Sequence, residues 1–281
     1  MSESAAAAQA GAQRTSSAPS ISRRSAIWLL TAGGASILFY VLVYVGGLPS
    51  GALQIVSDVG QVLVVGTSAW MTLAAAGRLG VSCPLGRQWL SIGAGLVLLT
   101  LSEAVWAYYE LVARQPVPSP GASDIFRLGF YILAGAGIIA AATAYRRMLE
   151  MRSEALASLV FSTFLLVVLY VYLGLAVLQN PDLSVSERVI GLAYPIGDVM
   201  LFIGPTMLML LVARKLHFAR LAWPWIAVGV GALVFAGADV GLLLMQSNGV
   251  YASGNPIDMG WMLGPVLMAA GASIALDVNA S

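Results

Sequence analysis

Eight long apolar stretches run along the chain with short polar breaks between them, at 27–45, 59–76, 89–109, 125–145, 156–178, 192–213, 221–245 and 259–276. Each is close to the roughly 20 residues that an α-helix needs to cross a bilayer core. The pattern therefore predicts an all-α integral membrane protein with eight transmembrane helices. Four aspartates, Asp58, Asp124, Asp198 and Asp258, each stand where a polar break gives way to the next apolar stretch. Around the last three the strings "GASDIFRLGF", "YPIGDVMLFIGP" and "GNPIDMGWMLGP" look like copies of one another. This spacing predicts four helix-loop-helix repeats.

Residues 1–24 are rich in Ala, Ser and Gln and show no apolar periodicity, so they are expected to form a disordered cytoplasmic tail. The membrane domain is expected over 25–276, followed by a short cytoplasmic tail at 277–281. Arg23 and Arg24 ahead of an apolar run resemble a twin-arginine export signal. That run is membrane-length, lacks a small-residue cleavage pattern and is followed by seven more, so the pair is read as an anchor for the first helix.

Composition supports the membrane reading. Hydrophobic residues make up 59% of the chain and charged residues 10%, against roughly 25% charged residues in soluble domains. The net charge of +1 conceals an asymmetry. With alternate loops assigned to opposite sides, one side collects Arg14, Arg23, Arg24, Arg78, Arg87, Arg146, Arg147, Arg152, Arg214, Lys215 and Arg220, and the other only Arg114, Arg127 and Arg188. By the positive-inside rule both termini are expected in the cytoplasm, with lipid as the surroundings of the bundle.

Single residues narrow the chemistry. Cys83 is the only cysteine and His217 the only histidine, which excludes an internal disulfide, a thiolate metal cluster and bis-histidine haem ligation within one chain. The one lysine, Lys215, sits at the end of the sixth stretch beside Arg214, not at mid-membrane where a retinal Schiff base would need it. No nucleophile, base and orienting group stand out together, so no catalytic residue, no metal and no cofactor are expected. A role in binding nucleic acid is not expected either.

Helices in lipid pack through small residues and hydrogen bonds, because hydrophobicity cannot drive them together. Gly137 with Ala141, Ala232 with Ala236, and Gly237 with Gly241 are candidate close-approach faces. Trp28, Trp89, Trp223 and Trp225 fall near the inner boundary, and Tyr44, Trp106, Tyr108, Tyr109 and Trp261 near the outer one, the arrangement expected of an aromatic belt.

The acids carry most of the candidate chemistry. A carboxylate in the first turn of a helix accepts from backbone N–H groups and opposes the helix dipole. Capping alone accounts for Asp58, Asp124 and Asp258 as helix-opening acids. Asp198 is expected to lie deeper, since "VIGLAYPIG" on its outer side is apolar. Glu103 and Asp239 interrupt the third and seventh apolar stretches, and Glu103 precedes Asp124 by 21 residues as Asp239 precedes Asp258 by 19. A charge inside the membrane is costly and usually faces the bundle interior with a partner. Glu103, Trp106 and Glu110 share a helix face by spacing. The candidate ligand-binding set is therefore Glu103, Trp106, Glu110, Asp198 and Asp239, lining a pocket open to the outside. An interhelical hydrogen bond that merely holds the bundle together accounts for Glu103 and Asp239 equally well.

The run "LSEAVWAYYELVARQPVPSPGASDIFRLGFYILAGAGI", then "YPIGDVMLFIGP", then "GNPIDMGWMLGPVLMAAGAS", resembles the N-terminal membrane region of multipass bacterial signalling proteins. In those proteins a bundle of this kind precedes cytoplasmic GGDEF and EAL modules that make or break cyclic di-GMP, or a histidine kinase. The similarity extends over the third to eighth stretches and more loosely over the first two. Two features depart from it: Arg127 stands where an aromatic is expected beside Phe126, and only "DVNAS" follows the last stretch, with no output domain. The resemblance implies a sensory input role, with output through a cytoplasmic partner or a second copy. A small-molecule carrier and a structural assembly subunit are the alternatives. The repeats and intramembrane acids are compatible with a carrier, although no broken mid-membrane helix is evident.

Overall fold

A computed structural model describes residues 45–181, 183–247 and 250–280, together with 41–43 and Ile27, Thr31, Gly34, Ala35, Leu38 and Phe39. The tail expected at 1–24 lies outside the described residues, as does much of the first apolar stretch. The described positions of that stretch from Ile27 to Val43 are helical.

Seven helical spans among the described residues are long and apolar enough to cross a membrane. They are α1 (Ser50–Leu79), α2 (Pro84–Ala107, continued by a π-helical Tyr108–Ala113) and α3 (Ala122–Met148). Next come α4 (Arg152–Leu169, a π-helical Tyr170–Gly174 and Leu175–Gln179) and α5 (Val185–Gly197, a π-helical Asp198–Ile203 and Gly204–Lys215). The last two are α6 (Trp223–Ser247) and α7 (Asp258–Ala280). No strand occurs among the described residues. The chain is an all-helical, multi-pass membrane protein.

Local chemistry sets the helix starts. Pro84 occupies the first position of α2, where its missing N–H costs nothing, and Cys83 Sγ ahead of it accepts from Gly86 N–H at 3.3 Å. At α5 a capping box closes: Ser184 Oγ accepts from Glu187 N–H at 3.3 Å, and Glu187 Oε2 accepts from Ser184 N–H at 2.7 Å. These starts lie several residues ahead of the apolar runs. Asp58 is consequently not a helix-opening acid, because α1 begins at Ser50 and places it two turns inside. Asp198 lies deep, as expected, at the point where α5 loosens into its π-helical segment.

α1, α2, α3, α5, α6 and α7 form a closed ring in which α2 lies between α1 and α3, α5 bridges α3 and α6, and α7 returns to α1. α4 packs outside the ring on α5. Its most apolar window is 12% buried, so most of that helix is left to lipid. Close approach of backbones holds the ring. A Cβ on Gly231 would stand 2.5 Å from the Gly264 carbonyl oxygen, and one on Gly95 would stand 2.8 Å from the Ala134 nitrogen. Gly137 is likewise pressed on α2, whereas a Cβ on Gly237 would meet nothing within 4 Å, so that position is no packing face.

The half of the ring near the basic loops is filled by apolar side chains. Trp89, Ile92, Leu96, Phe130, Phe202, Phe235 and Met268 are fully buried. Trp89 and Trp225 stack with ring centroids 5.0 Å apart. These two indoles and Trp261 are buried in the bundle, so they are not belt residues. Trp89 and Trp225 close the interior near the basic loops, where α2, α6 and α7 converge.

Candidate functional site

The polar residues collect in the other half. From α3, Asp124, Arg127 and Tyr131 project at i, i+3 and i+7 on one helical face. Glu103 reaches them from α2, Tyr194 and Asp198 from α5, Asp239 from α6, and Trp261 from α7. Arg127 is the centre of this cluster, 8% exposed. Its Nη2 donates to Glu103 Oε1 at 2.8 Å and its Nη1 to Asp239 Oδ1 at 3.4 Å. The guanidinium lies 5.4 Å from the Trp261 ring centroid and 5.9 Å from that of Tyr194. Asp239 Oδ1 also accepts from Trp261 Nε1 at 2.6 Å.

Tyr131 bridges two acids. Its hydroxyl is 2.8 Å from Asp198 Oδ1 and also bonds Asp239 Oδ2. A phenol carries one proton, so it donates to one of these carboxyls and can only accept from the other. Asp198 Oδ2 is buried and receives no hydrogen bond. Asp124 keeps its capping role, accepting from Gly121 N–H at 2.8 Å, and its other oxygen accepts from the Tyr194 hydroxyl.

A second polar group lies between α1 and α7. Asp258 Oδ2 accepts from Ser57 Oγ at 2.6 Å and from Gly254 N–H at 2.7 Å, and its Oδ1 accepts from the Tyr251 hydroxyl at 3.2 Å. Gln61 Nε2 donates to Ser57 Oγ at 3.1 Å. Glu110 accepts from Gln54 Nε2 at 2.9 Å. Asp58 is buried with the Glu110 carboxyl beside it. A narrow crevice lined by Gln61, Glu103, Trp106, Arg127, Tyr251 and Trp261 separates the two groups.

Above the Arg127 cluster a cavity of about 300 Å³ reaches the end of the bundle opposite the basic loops. Trp106, Asp124, Arg127, Tyr194, Asp198 and Asp239 line it. Of the sequence-derived ligand set, Trp106, Asp198 and Asp239 stand on this cavity. Glu103 lies behind Arg127. Glu110 faces α1, not the cavity, because the π-helical turn after Ala107 rotates the face on which simple helical spacing places it with Glu103 and Trp106.

Sequence reasoning passed over Arg127, Tyr131, Tyr194 and Trp261 as site residues. A signal for two of them was present. The residues three positions after the repeat aspartates are Gln61, Arg127, Leu201 and Trp261. Three of these are hydrogen-bond donors, and they serve Ser57, Glu103 and Asp239 respectively.

A cluster of intramembrane acids around one arginine, beneath a cavity, defines a class of helical membrane bundle. It does not define a reaction. Comparisons with protein-family profiles, curated protein sequences and solved structures gave no match.

Proposed function

We propose that the protein is a sensory input module of a bacterial inner membrane, receiving a small ligand in the outward cavity and relaying its presence to the cytoplasmic face. The observation that carries this is the floor of the cavity. Arg127 ties α2, α3 and α6 together there, and around it gather the buried acids Glu103, Asp124, Asp198 and Asp239, with Asp198 one turn deeper beside Tyr131. A ligand can enter and alter the ion pairing, while further in, between Trp89 and Phe235, the described residues offer no buried charge to carry it on. This favours a receptor over a carrier.

The same reading gives the bundle eight spans and four repeats. Helical positions from Ile27 onward supply the eighth span. The donors three residues after Asp58, Asp124 and Asp258 support the repeat. The clustering of Arg78, Arg87, Arg146, Arg147, Arg152, Arg214, Lys215 and Arg220 at one end supports cytoplasmic termini. Those basic loops are where a cytoplasmic partner or a second copy would read the signal, without catalysis by the bundle itself.

One observation favours a carrier as the second reading. α5 is not a continuous α-helix: Pro195 and the π-helical Asp198–Ile203 interrupt it beside the cavity, and interrupted helices build many transport sites. Cys83 provides the test, because it lies on the α1–α2 loop at the basic end. An environment-sensitive thiol probe on Cys83 is expected to change its emission when Arg127 is replaced by Gln in protein that still elutes as a folded species. Unchanged emission contradicts relay. Saturable counterflow in proteoliposomes, abolished by Glu103→Gln, would establish the carrier instead.

A further inference from the structure

The charges around the cavity are unequal. Asp124, Asp198, Asp239 and Glu187 line it against Arg127 as the lining cation. Both Nη groups of Arg127 are already engaged by Glu103 and Asp239, so the arginine is a poor receptor for an anion. Asp124 is satisfied by Gly121 and Tyr194, and Asp239 by Trp261, Arg127 and Tyr131. Asp198 differs from both. It lines the cavity yet is 1% exposed; only its Oδ1 is bonded, and its Oδ2 is buried without a donor. A buried acceptor left without a donor costs free energy that a bound donor would recover.

We infer that the cavity binds a small organic cation, a protonated primary amine on an apolar or aromatic stem, with the Asp198 carboxylate on its wall as the receptor. An ammonium carries three donors and no acceptor, which suits an acidic wall with one unmet oxygen. The aromatic rings of Trp106 and Tyr194 on the same wall suit a cation and its stem. A volume of about 300 Å³ admits a ligand at the small end of the usual range for such sites. A divalent metal suits the site less well, since among the described residues no three His, Cys, Asp or Glu side chains converge as its ligands. The inference rests on the receptor reading only for the side from which the amine arrives.

The test is isothermal titration of the purified protein in lipid nanodiscs with alkylammonium and 2-phenylethylammonium ions, with 2-phenylethanol and 3-phenylpropionate as isosteres. Saturable binding of an ammonium ion is expected, with no binding of the alcohol or the acid. Asp198→Asn should weaken the ammonium at least about 10-fold, and Asp198→Glu should restore part of the loss. Gly191→Leu places bulk on the cavity wall at a glycine with 3.6 Å clearance to Val177 and touches no acid, so it should block binding in a folded protein. Equal binding of the alcohol, an unchanged affinity in Asp198→Asn, or no binding by any ammonium ion would overturn the inference. The last result indicates that Asp198 holds only a proton. The Cys83 probe reads the receptor proposal separately. If it responds to Arg127→Gln while no ammonium binds, the ligand class falls and the receptor stands.

Discussion

Arg127 is buried at the meeting point of three helices and holds two carboxylates that would otherwise stand uncompensated in an apolar bundle. A buried ion pair need not stabilise a fold, but removing one partner from it is expensive, typically about 3–5 kcal/mol. Arg127→Gln is therefore expected to lower the thermal midpoint sharply, by the equivalent of several kcal/mol. The Glu103→Gln, Arg127→Gln pair should cost less than the sum of its members, which a double-mutant cycle on thermal unfolding in detergent measures. Additive losses would mean that the two side chains do not share an interaction. Tyr251 supplies a pH dependence. It lies on the loop between α6 and α7, outside the spans, where burial first and then the carboxylate of Asp258 raise its phenol above the usual value of 10.0. As pH climbs through 10 the unfolded chain ionises while the folded one stays neutral, so the stability this group contributes is intact below that pH and declines above it. Tyr251→Phe should flatten that alkaline decline in a series of thermal midpoints. At this scale the acids were legible and their partners were not. Glu103 and Asp239 stand out because a carboxylate in an apolar run is rare. Arg127 is only the third residue of the apolar stretch that starts at Ile125 and passes for a loop charge, and Trp261 passes for a boundary aromatic, since one sequence does not say which helices are neighbours.

The helices themselves were visible as apolar runs, because a lipid-spanning segment needs a length that nothing else in the chain imitates. Their starts and their internal irregularities were less so. The Ser184–Glu187 capping box was a readable signal that moves the start of α5 to Val185, and it places Asp198 deep in the helix. The π-helical turn at Tyr108–Ala113 left no comparable mark, although it sends Glu110 towards α1. Packing between elements yields a contrast within one helix. Gly231→Ala in α6 drives a Cβ into the Gly264 carbonyl of α7 and is expected to cost about 1–3 kcal/mol. Gly237→Ala, two turns along, meets open space and is expected to be neutral or to stabilise by up to about 1 kcal/mol, as alanine does in a helix interior. Thermal unfolding of the two variants side by side checks this, and equal effects would contradict the α6–α7 backbone contact.

Over the whole molecule the two ends of the bundle are chemically unlike. One half has an interior mainly of stacked and interlocked aromatic and aliphatic side chains, bordered by basic loops. The other holds the acids, the arginine and the cavity. This division supports an outward receptor site above a closed floor. Cysteine accessibility tests it most directly. Leu243 lines the cavity and takes no part in the polar cluster, so Leu243→Cys in a Cys83→Ser background introduces one reactive thiol on the wall. In intact cells a membrane-impermeant cationic methanethiosulfonate is expected to modify this thiol, and to do so roughly 10-fold faster than its anionic counterpart, as the acidic lining would attract the one and repel the other. The native Cys83 at the basic end should react with either reagent only after the membrane is permeabilised. Modification of Cys83 from outside, or a Leu243→Cys thiol that reacts only in permeabilised cells, would contradict the account.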